Sequence, residues 1–217
     1  MFFPIGRPAW PALRPAGPAG LWGKTFNLLN THYAPVLKAA HEKGIGTIVM
    51  NPVGGGRLTQ PSRVLRELAE RVGAASTADL AVRYVMSNPH VDTILCGMTK
   101  PSDVDDTIRS TDSGPLDRKQ MNHINAFLDT IAKERKRFCT GCRYCIPCPK
   151  GIDIPAIMGA IFDDRVLDYK DAACSRYKNM KPPKADICAH CGTCKEKCPQ
   201  KLDVPTELEY ANMTYSE

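Results

Sequence analysis

Eight of the ten cysteines in the sequence lie in two short runs near its carboxyl end. The first run, CTGCRYCIPCPKGIDIP, has two residues in every gap between Cys139, Cys142, Cys145 and Cys148. The second run, CAHCGTCKEKCPQKLDVP, has gaps of two, two and three residues between Cys188, Cys191, Cys194 and Cys198. Both runs end in Cys-Pro, two residues, an aliphatic residue, Asp, an aliphatic residue and Pro, which indicates a duplication with two equivalent half-sites. The amino-terminal segment lacks the pattern of an export signal, so ten cysteines favour metal or redox chemistry over disulfides.

The spacing within each run favours an iron–sulfur cluster. A Cys-x-x-Cys-x-x-Cys loop lets three thiolates reach three corners of an iron–sulfur cube, and the following proline turns the chain away. Zinc is the alternative, but structural zinc takes four ligands that usually come as two separated pairs. Three consecutive two-residue gaps crowd too many thiolates around one small ion, so we predict iron–sulfur ligands.

The second run matches the spacing of bacterial ferredoxins, in which the fourth cysteine of each run ligates the other cluster. This rule joins the first three cysteines of the first run to Cys198, and the first three cysteines of the second run to Cys148. Eight ligands then hold two 4Fe–4S clusters, and Cys96 and Cys174 are left over. We expect Cys96 to be a buried small apolar residue. His190, inside the second run, is expected to cap, to face solvent or to hydrogen-bond a cluster sulfur.

Charge and hydropathy restrict the partners. The net charge is +6, and no long basic run is interleaved with aromatic residues, so we predict no nucleic-acid partner. No segment reaches the roughly 18 consecutive apolar residues of a membrane span. We expect a cytoplasmic location and a redox partner protein or electron carrier. Basic residues that would offset cluster charge, or simply face solvent, flank both runs: Lys133, Arg135, Lys136, Arg137, Arg143, Lys150, Lys195, Lys197 and Lys201.

Three segments follow from the rest of the pattern. Residues 1–25 are rich in Pro and Gly, which predicts an irregular tail. Residues 26–137 alternate helical periodicity with two short apolar runs, IGTIVM and VDTILCG, which we interpret as buried parallel strands. A helix is expected to begin near Asn27. Residues 138–217 form a separate cysteine-rich domain. Within it, IDIPAIMGAIFDDRVLDY predicts a helix with Ile154, Ile157, Met158 and Ile161 on one face.

Two of these stretches, HEKGIGTIVMNPVGGGRL and VRYVMSNPHVDTILCGMTKPSDVDD, resemble the last strands of the aldo/keto reductase barrel. The first cysteine run after a basic helix resembles the iron–sulfur tail fused to one branch of that family. The resemblance implies an α/β fold with a partial (β/α)8 barrel, its last strands and helices only. A mainly α-helical, two-cluster ferredoxin-like domain follows.

The resemblance also implies cofactor-binding residues for NAD(P)H. MNPVGGG is similar to the loop that lies along the nicotinamide and pyrophosphate, and GMTKPSDVDD to the loop that holds the adenosine end. The implied residues are Met50, Asn51, Gly54, Gly55, Gly56, Gly97, Met98, Thr99 and Lys100. Asp103 stands where NADP-specific members often place an arginine. Cofactor binding is expected to be weak in this shortened chain.

The catalytic Asp, Tyr, Lys and His of the resembled family come from the first half of its barrel, so no catalytic residue is carried over. A full barrel takes about 250 residues, which makes the chain look like a truncated enzyme. We therefore expect an NAD(P)-linked iron–sulfur oxidoreductase acting on a small carbonyl or alcohol. The alternative is a non-enzymatic ferredoxin-type electron-transfer module with a vestigial half-barrel.

Overall fold

The computed structural model describes residues 2–4, 22–139 and 141–216. They divide into two compact units. We call Met1–Gln60 with Leu65–Ile124 the sheet unit, and Pro61–Val64 with Asn125–Glu217 the cysteine unit. The sequence-based domain limits at residues 25 and 138 stay predictions, and residues 5–21 of the expected irregular tail lie outside the described residues.

The sheet unit is built on four short strands. In chain order its elements are β1 (Phe2–Pro4), β2 (Trp22–Thr25), α1 (Ala34–Glu42), β3 (Thr47–Met50), a 3-10 turn (Arg57–Thr59), most of α2 (Arg63–Arg71), α3 (Thr77–Met86), β4 (Thr93–Leu95), α4 (Pro101–Asp112) and the start of α5 (Arg118–Arg137). The sheet order is β1-β4-β3-β2. Strands β2, β3 and β4 are parallel, whereas β1 is antiparallel to β4. The carboxyl ends of three strands therefore meet at one edge of the sheet.

Two of the four strands were not predicted from sequence. IGTIVM and VDTILCG are confirmed as β3 and β4, but β1 and β2 lie in the segment expected to be irregular. β2 pairs with β3 in a register that joins the Cα atoms of Trp22 and Thr47. Its four residues, WGKT, carry no apolar alternation, so only this non-local pairing defines the strand.

Helix α1 begins later than expected. Asn27 and Asn30 exchange two backbone hydrogen bonds of 3.1 and 3.0 Å, which close a tight turn before the helix. The helix then begins at Ala34, with Pro35 in its first turn, where a missing N–H costs no hydrogen bond.

The buried Thr47 of β3 forms hydrogen bonds with the segment that precedes β4. The Thr47 hydroxyl donates to the His90 carbonyl at 2.6 Å, and the Thr47 N–H donates to the Asp92 carboxylate at 2.8 Å. Thr47 is fully buried, so these bonds satisfy groups that water cannot reach. The TADLAVRYVMSN segment was expected to form a helix with Leu80, Ala81, Tyr84 and Val85 facing inward, and all four residues are buried in α3.

The cysteine unit is mainly helical. Its elements after α5 are α6 (Ile154–Leu167), α7 (Lys170–Lys178), a 3-10 turn (Ala185–Ile187), α8 (Thr193–Glu196) and α9 (Val204–Tyr215). Helix α6 confirms the helix predicted between the cysteine runs. Its predicted apolar face, which is Ile154, Ile157, Met158 and Ile161, packs in a core with residues of α7 and α9. Within the described ranges, no helix has both the length and the apolar character needed to cross a membrane.

Candidate metal centre

The cysteines line two pockets of nearly equal size. Both pockets are open to solvent. The first thiol pocket is lined by Cys139, Cys142, Cys145 and Cys198. The second thiol pocket is lined by Cys148, Cys188, Cys191 and Cys194, and Cys145 borders it as well. Each pocket thus takes its last cysteine from the other run.

The two runs fold in the same way around their middle cysteines. The Ile146 N–H donates to the Arg143 carbonyl at 2.9 Å, and the Lys195 N–H donates to the Gly192 carbonyl at 2.9 Å. Arg143 and Gly192 hold equivalent positions and both have positive φ angles, 66° and 78°. The duplication inferred from sequence is therefore present in the backbone.

The turns after the two Cys-Pro pairs are also equivalent. The Gly151 N–H donates to the Cys148 carbonyl at 2.8 Å, and the Lys201 N–H donates to the Cys198 carbonyl at 3.0 Å. Gly151 and Lys201 both have positive φ angles, 73° and 52°. These turns direct the chain away from each pocket and into the helix that follows.

Helices α6 and α9 form the apolar walls. Each begins after an aspartate, Asp153 or Asp203, with proline in its first turn. The Asp153 side chain caps α6 by accepting from the Ala156 N–H at 3.4 Å, whereas Asp203 accepts from the Lys195 ammonium at 2.9 Å. Ile154 of α6 lines both pockets.

Burial and repulsion from neighbouring thiolates raise the pKa values of Cys139 and Cys194, which we call the inner thiols. Burial raises the pKa of the Cys139 thiol, and the neighbouring Cys142 and Cys198 raise it further, whereas a hydrogen bond from the Gly141 N–H lowers it. Burial likewise raises the pKa of Cys194, with contributions from Cys188 and Cys148. A positive charge at the centre of each pocket would relieve this repulsion and favour the thiolates.

Cys191 differs from the inner thiols because it is exposed. Its sulfur lies 3.5 Å from the Thr193 hydroxyl, and this hydrogen bond lowers the pKa of the Cys191 thiol. Cys142 is the exposed thiol of the first pocket. Each pocket therefore has one thiol at its solvent edge.

The remaining cysteines lie elsewhere. Cys96 was expected to be a buried small apolar residue; it follows β4 and is partly buried, and this burial raises the pKa of its thiol. Cys174 is not among the residues that line either thiol pocket, and its sulfur lies 4.0 Å from the Thr214 carbonyl oxygen. His190 is exposed, with a φ angle of 50°. Among the residues that the structure describes, no three His, Cys, Asp or Glu side chains gather closely enough to hold a single metal ion.

The implied cofactor residues lie at the carboxyl edge of the sheet. Met50 ends β3 with half of its surface exposed (50%), and Asn51 follows with a φ angle of 61°. The three glycines at 54, 55 and 56 all have positive φ angles. Gly97 and Met98 follow β4, and Thr99 and Lys100 precede α4.

The Asp103 carboxylate of α4 accepts hydrogen bonds from the residues that precede the helix. Asp103 accepts from the Thr99 N–H at 2.8 Å, from the Thr99 hydroxyl at 3.0 Å and from the Lys100 N–H at 3.0 Å. The Thr99 N–H is the largest of the contributions that hold the pKa of Asp103 below its ordinary value. A negative charge therefore stands at this helix start.

Sequence reasoning missed Asn27, which follows β2 at the same edge. Its side-chain amide donates to the Asn51 carbonyl at 3.0 Å and is 3% exposed. The pattern gave no signal for Asn27 because β2 itself was not predicted. Asn27 fixes the loop that carries the implied nicotinamide residues.

Two protein-family models match separate parts of the chain. Residues 24–129 match the model of the aldo/keto reductase family, and residues 138–203 match the model of the 4Fe-4S dicluster domain. No curated protein sequence matches the chain.

Two solved structures are similar to part of the chain. One is the holo form of aldo-keto reductase AKR11C1 from Bacillus halodurans, with 19% identity, a TM-score of 0.43 and coverage of 52% of this chain and 44% of that chain. Another is glycerol dehydrogenase AKR11B4 from Gluconobacter oxydans, with 18% identity, a TM-score of 0.44 and coverage of 52% and 42%. The matched part spans less than half of each of these chains. Together, the two family matches assign an aldo/keto reductase-family domain to residues 24–129 and a 4Fe-4S dicluster domain to residues 138–203.

Proposed function

We propose that the chain is an iron–sulfur oxidoreductase of the aldo/keto reductase type. The cysteine unit holds two 4Fe–4S clusters, and the sheet unit is the last part of a (β/α)8 barrel that binds NAD(P)H. In the full enzyme, this barrel carries out redox chemistry on a small carbonyl or alcohol, coupled to electron transfer with a redox partner.

The observation that carries the proposal is the exchange of cysteines between the two runs. Each thiol pocket combines three thiols of one run with the last thiol of the other, Cys198 or Cys148. This is the ligand pattern of two-cluster bacterial ferredoxins. When bound, the clusters supply one-electron transfer. The ligand set we propose is Cys139, Cys142, Cys145 and Cys198 for one cluster, and Cys188, Cys191, Cys194 and Cys148 for the other.

The chain's own residues shape these sites. Because of the repeated turns at Arg143 and Gly192, the thiols line the walls of each pocket. Ile154, Val204 and Leu208 are buried residues of the walls and keep water from the inner side. When a cluster site contains little water, the surrounding charges and hydrogen bonds tune the reduction potential of the cluster.

For the nicotinamide cofactor we propose the loops that follow β3 and β4. The glycines at 54–56 leave no side chain in the path of a phosphate, their positive φ angles are ones that glycine adopts readily, and Met50 offers an exposed surface nearby in the chain. Asp103 already accepts hydrogen bonds from the start of α4. Its negative charge would repel the 2′-phosphate of NADP, so we propose a preference for NAD.

A non-enzymatic electron-transfer module is the second candidate, because no catalytic residue of the resembled family is assigned in this chain and Tyr84 is not available to act as one. Family chemistry requires a tyrosine acid of tuned pKa. Tyr84 is instead buried, stacks on Phe26 with ring centroids 5.7 Å apart, and burial raises its pKa to about 12. Tyr84 thus acts as a core residue of the sheet unit.

Anaerobic purification followed by spectroscopy and cofactor titration tests both candidates. We expect broad absorbance near 400 nm that is bleached by dithionite, and NADH binding at a higher affinity than NADPH binding. Protein with this absorbance but without NADH binding would favour the electron-transfer module. Colourless protein that contains zinc would overturn both.

A further inference from the structure

The second cysteine of each run differs in its hydrogen-bond donors. Cys142 and Cys191 hold equivalent positions in the two runs, and both are exposed. The Cys191 sulfur lies 3.5 Å from the Thr193 hydroxyl. A ligand thiolate carries no proton, so the hydroxyl donates this bond and the sulfur accepts it. Negative charge on the Cys191 sulfur is therefore stabilised by Thr193, which also lines the second thiol pocket.

The equivalent residue of the first run is Tyr144. Like Thr193, it lies two residues after the second cysteine of its run. Its side chain is 64% exposed, and it is not among the residues that line the first thiol pocket. In the described part of the chain, no hydrogen bond joins the Tyr144 hydroxyl to a cysteine sulfur. The duplicated runs therefore differ at this position, because the Thr193 hydroxyl reaches a ligand sulfur and the Tyr144 hydroxyl does not.

The basic residues that line the two pockets are matched in number. Arg143 lines the first thiol pocket and Lys150 the second, so the described lining of each pocket contains one basic residue. Gln200 also lines the first pocket, but within the described residues its amide forms no hydrogen bond with a cysteine. Lys195 of the second run pairs with Asp203 at 2.9 Å, which offsets its charge. Formal charge in the lining therefore does not distinguish the pockets.

The Glu196 carboxylate opposes Thr193 at the same sulfur. The Thr193 hydroxyl makes the largest contribution to lowering the pKa of the Cys191 thiol, and the Thr193 N–H makes the next largest. Glu196 raises this pKa, but its contribution is smaller than either of these. The balance at Cys191 therefore favours negative charge on the sulfur, and the hydroxyl is the donor that a single substitution can remove.

We propose that Thr193 acts through Cys191 to raise the reduction potential of the cluster in the second thiol pocket, so that this cluster is reduced first. The proposal rests on the proposed function, because it requires both pockets to hold 4Fe–4S clusters. A reduced cluster carries one more negative charge, part of which lies on the ligand sulfurs, so a donor to a ligand sulfur favours the reduced state. The electron donor loses one electron, the cluster of the second pocket gains it, and the hydroxyl proton stays on Thr193.

An electron then has a preferred position within the cysteine unit. One electron delivered by a partner resides mainly in the second thiol pocket, and the first thiol pocket is reduced when a second electron arrives. We expect the hydroxyl to favour reduction of its cluster about tenfold, which is about 59 mV for one electron. An effect of this size is comparable to that of a single hydrogen bond to a charged group.

Three single substitutions separate the effect of the hydroxyl from that of side-chain shape. Thr193→Val removes the hydroxyl and keeps the branched shape, whereas Thr193→Ser keeps a hydroxyl. The matched control is Tyr144→Phe, which removes a hydroxyl at the equivalent position of the first run. All proteins are purified anaerobically, and their iron content and absorbance near 400 nm are measured first.

The assay is a reductive titration with dithionite and redox mediators, followed by electron paramagnetic resonance of frozen samples. We expect two one-electron steps in the unsubstituted protein. Thr193→Val should lower the equilibrium constant of the higher-potential step about tenfold and leave the other step within about twofold. Thr193→Ser and Tyr144→Phe should leave both steps within about twofold of the unsubstituted protein.

Cys139→Ala assigns the two steps to the pockets, because Cys139 lines the first thiol pocket and not the second. Its remaining cluster should be reduced at the higher potential. If this variant takes up no iron, the three substitutions still decide, since only Thr193→Val should shift a step.

Three results from iron-loaded protein would overturn the role of Thr193 and leave the proposed function standing. They are equal potentials of the two clusters in the unsubstituted protein, equal effects of Thr193→Val and Tyr144→Phe, and reduction of the Cys139→Ala cluster at the lower potential. Unsubstituted protein that takes up no iron would contradict the proposed function and the role of Thr193 with it.

Discussion

Replacing Cys148 with alanine should disrupt the second thiol pocket, although Cys148 belongs to the first cysteine run. It lines the pocket with Cys188, Cys191 and Cys194. Each pocket offers four thiols to one 4Fe–4S cluster, so the unsubstituted protein should hold about eight iron atoms per chain. Loss of one whole cluster should lower the iron content of Cys148→Ala to about four.

Double variants reveal which cysteines act together. Cys148→Ala combined with Cys188→Ala should retain about four iron atoms, because both changes damage the same pocket. Cys148→Ala combined with Cys139→Ala should retain almost none, because the changes damage different pockets. The assay is iron and acid-labile sulfide per chain after anaerobic reconstitution, with circular dichroism to confirm helix content.

Cys174→Ala is the matched control, since this cysteine lies between the two runs and is not among the residues lining the thiol pockets. It should leave the iron content unchanged. The exchange of cysteines between the runs would be refuted by the reverse pattern, in which the Cys148/Cys139 pair retains about four iron atoms and the Cys148/Cys188 pair retains none. That result would mean that each run ligates its own cluster.

Three further predictions concern the sheet unit. Burial raises the pKa of Tyr84 to about 12, so the folded state favours the neutral phenol; its contribution to stability is complete below about pH 10 and is lost as the pH rises through 12. Between pH 8 and pH 11.5, the unsubstituted protein should therefore lose about 2 kcal/mol more of its free energy of unfolding than Tyr84→Phe does, as measured by urea denaturation. An equal loss in the two proteins would contradict this. Asp103→Ala should raise the affinity for NADPH relative to NADH about tenfold in fluorescence titrations, because a carboxylate no longer faces the 2′-phosphate; an unchanged ratio would place that phosphate elsewhere. Thr47→Val should lower the free energy of unfolding by about 1–3 kcal/mol, because Asp92 loses a buried donor, and a change below about 0.5 kcal/mol would show that water replaces the hydroxyl.

The cysteine unit was the more predictable part of the chain. Its helix α6 was predicted from the helical spacing of Ile154, Ile157, Met158 and Ile161, and all four residues are buried. The exchange of Cys148 and Cys198 between pockets was expected from a spacing rule, and the structure places both thiols in the expected pockets. Their role as ligands stays a prediction. Local spacing is informative here because ligand geometry constrains residues that are close in sequence.

The sheet unit was less predictable because its strands depend on distant partners. β2 has no apolar alternation and is defined by pairing with β3, which lies more than twenty residues later. β1 pairs with β4, which begins at Thr93. Asn27 was missed for the same reason, since its place at the sheet edge follows from β2. The interpretation of this unit as the last part of a barrel likewise remains a proposal.

The central claim is that two 4Fe–4S clusters lie in pockets that exchange their last cysteine. The most direct measurement is anomalous X-ray diffraction at the iron edge from crystals of anaerobically purified protein. We predict two four-iron peaks, one within bonding distance of Cys198 and the first three thiols of the first run, the other within bonding distance of Cys148 and the first three thiols of the second run. Single-atom zinc peaks, or clusters held by all four cysteines of one run, would contradict the account.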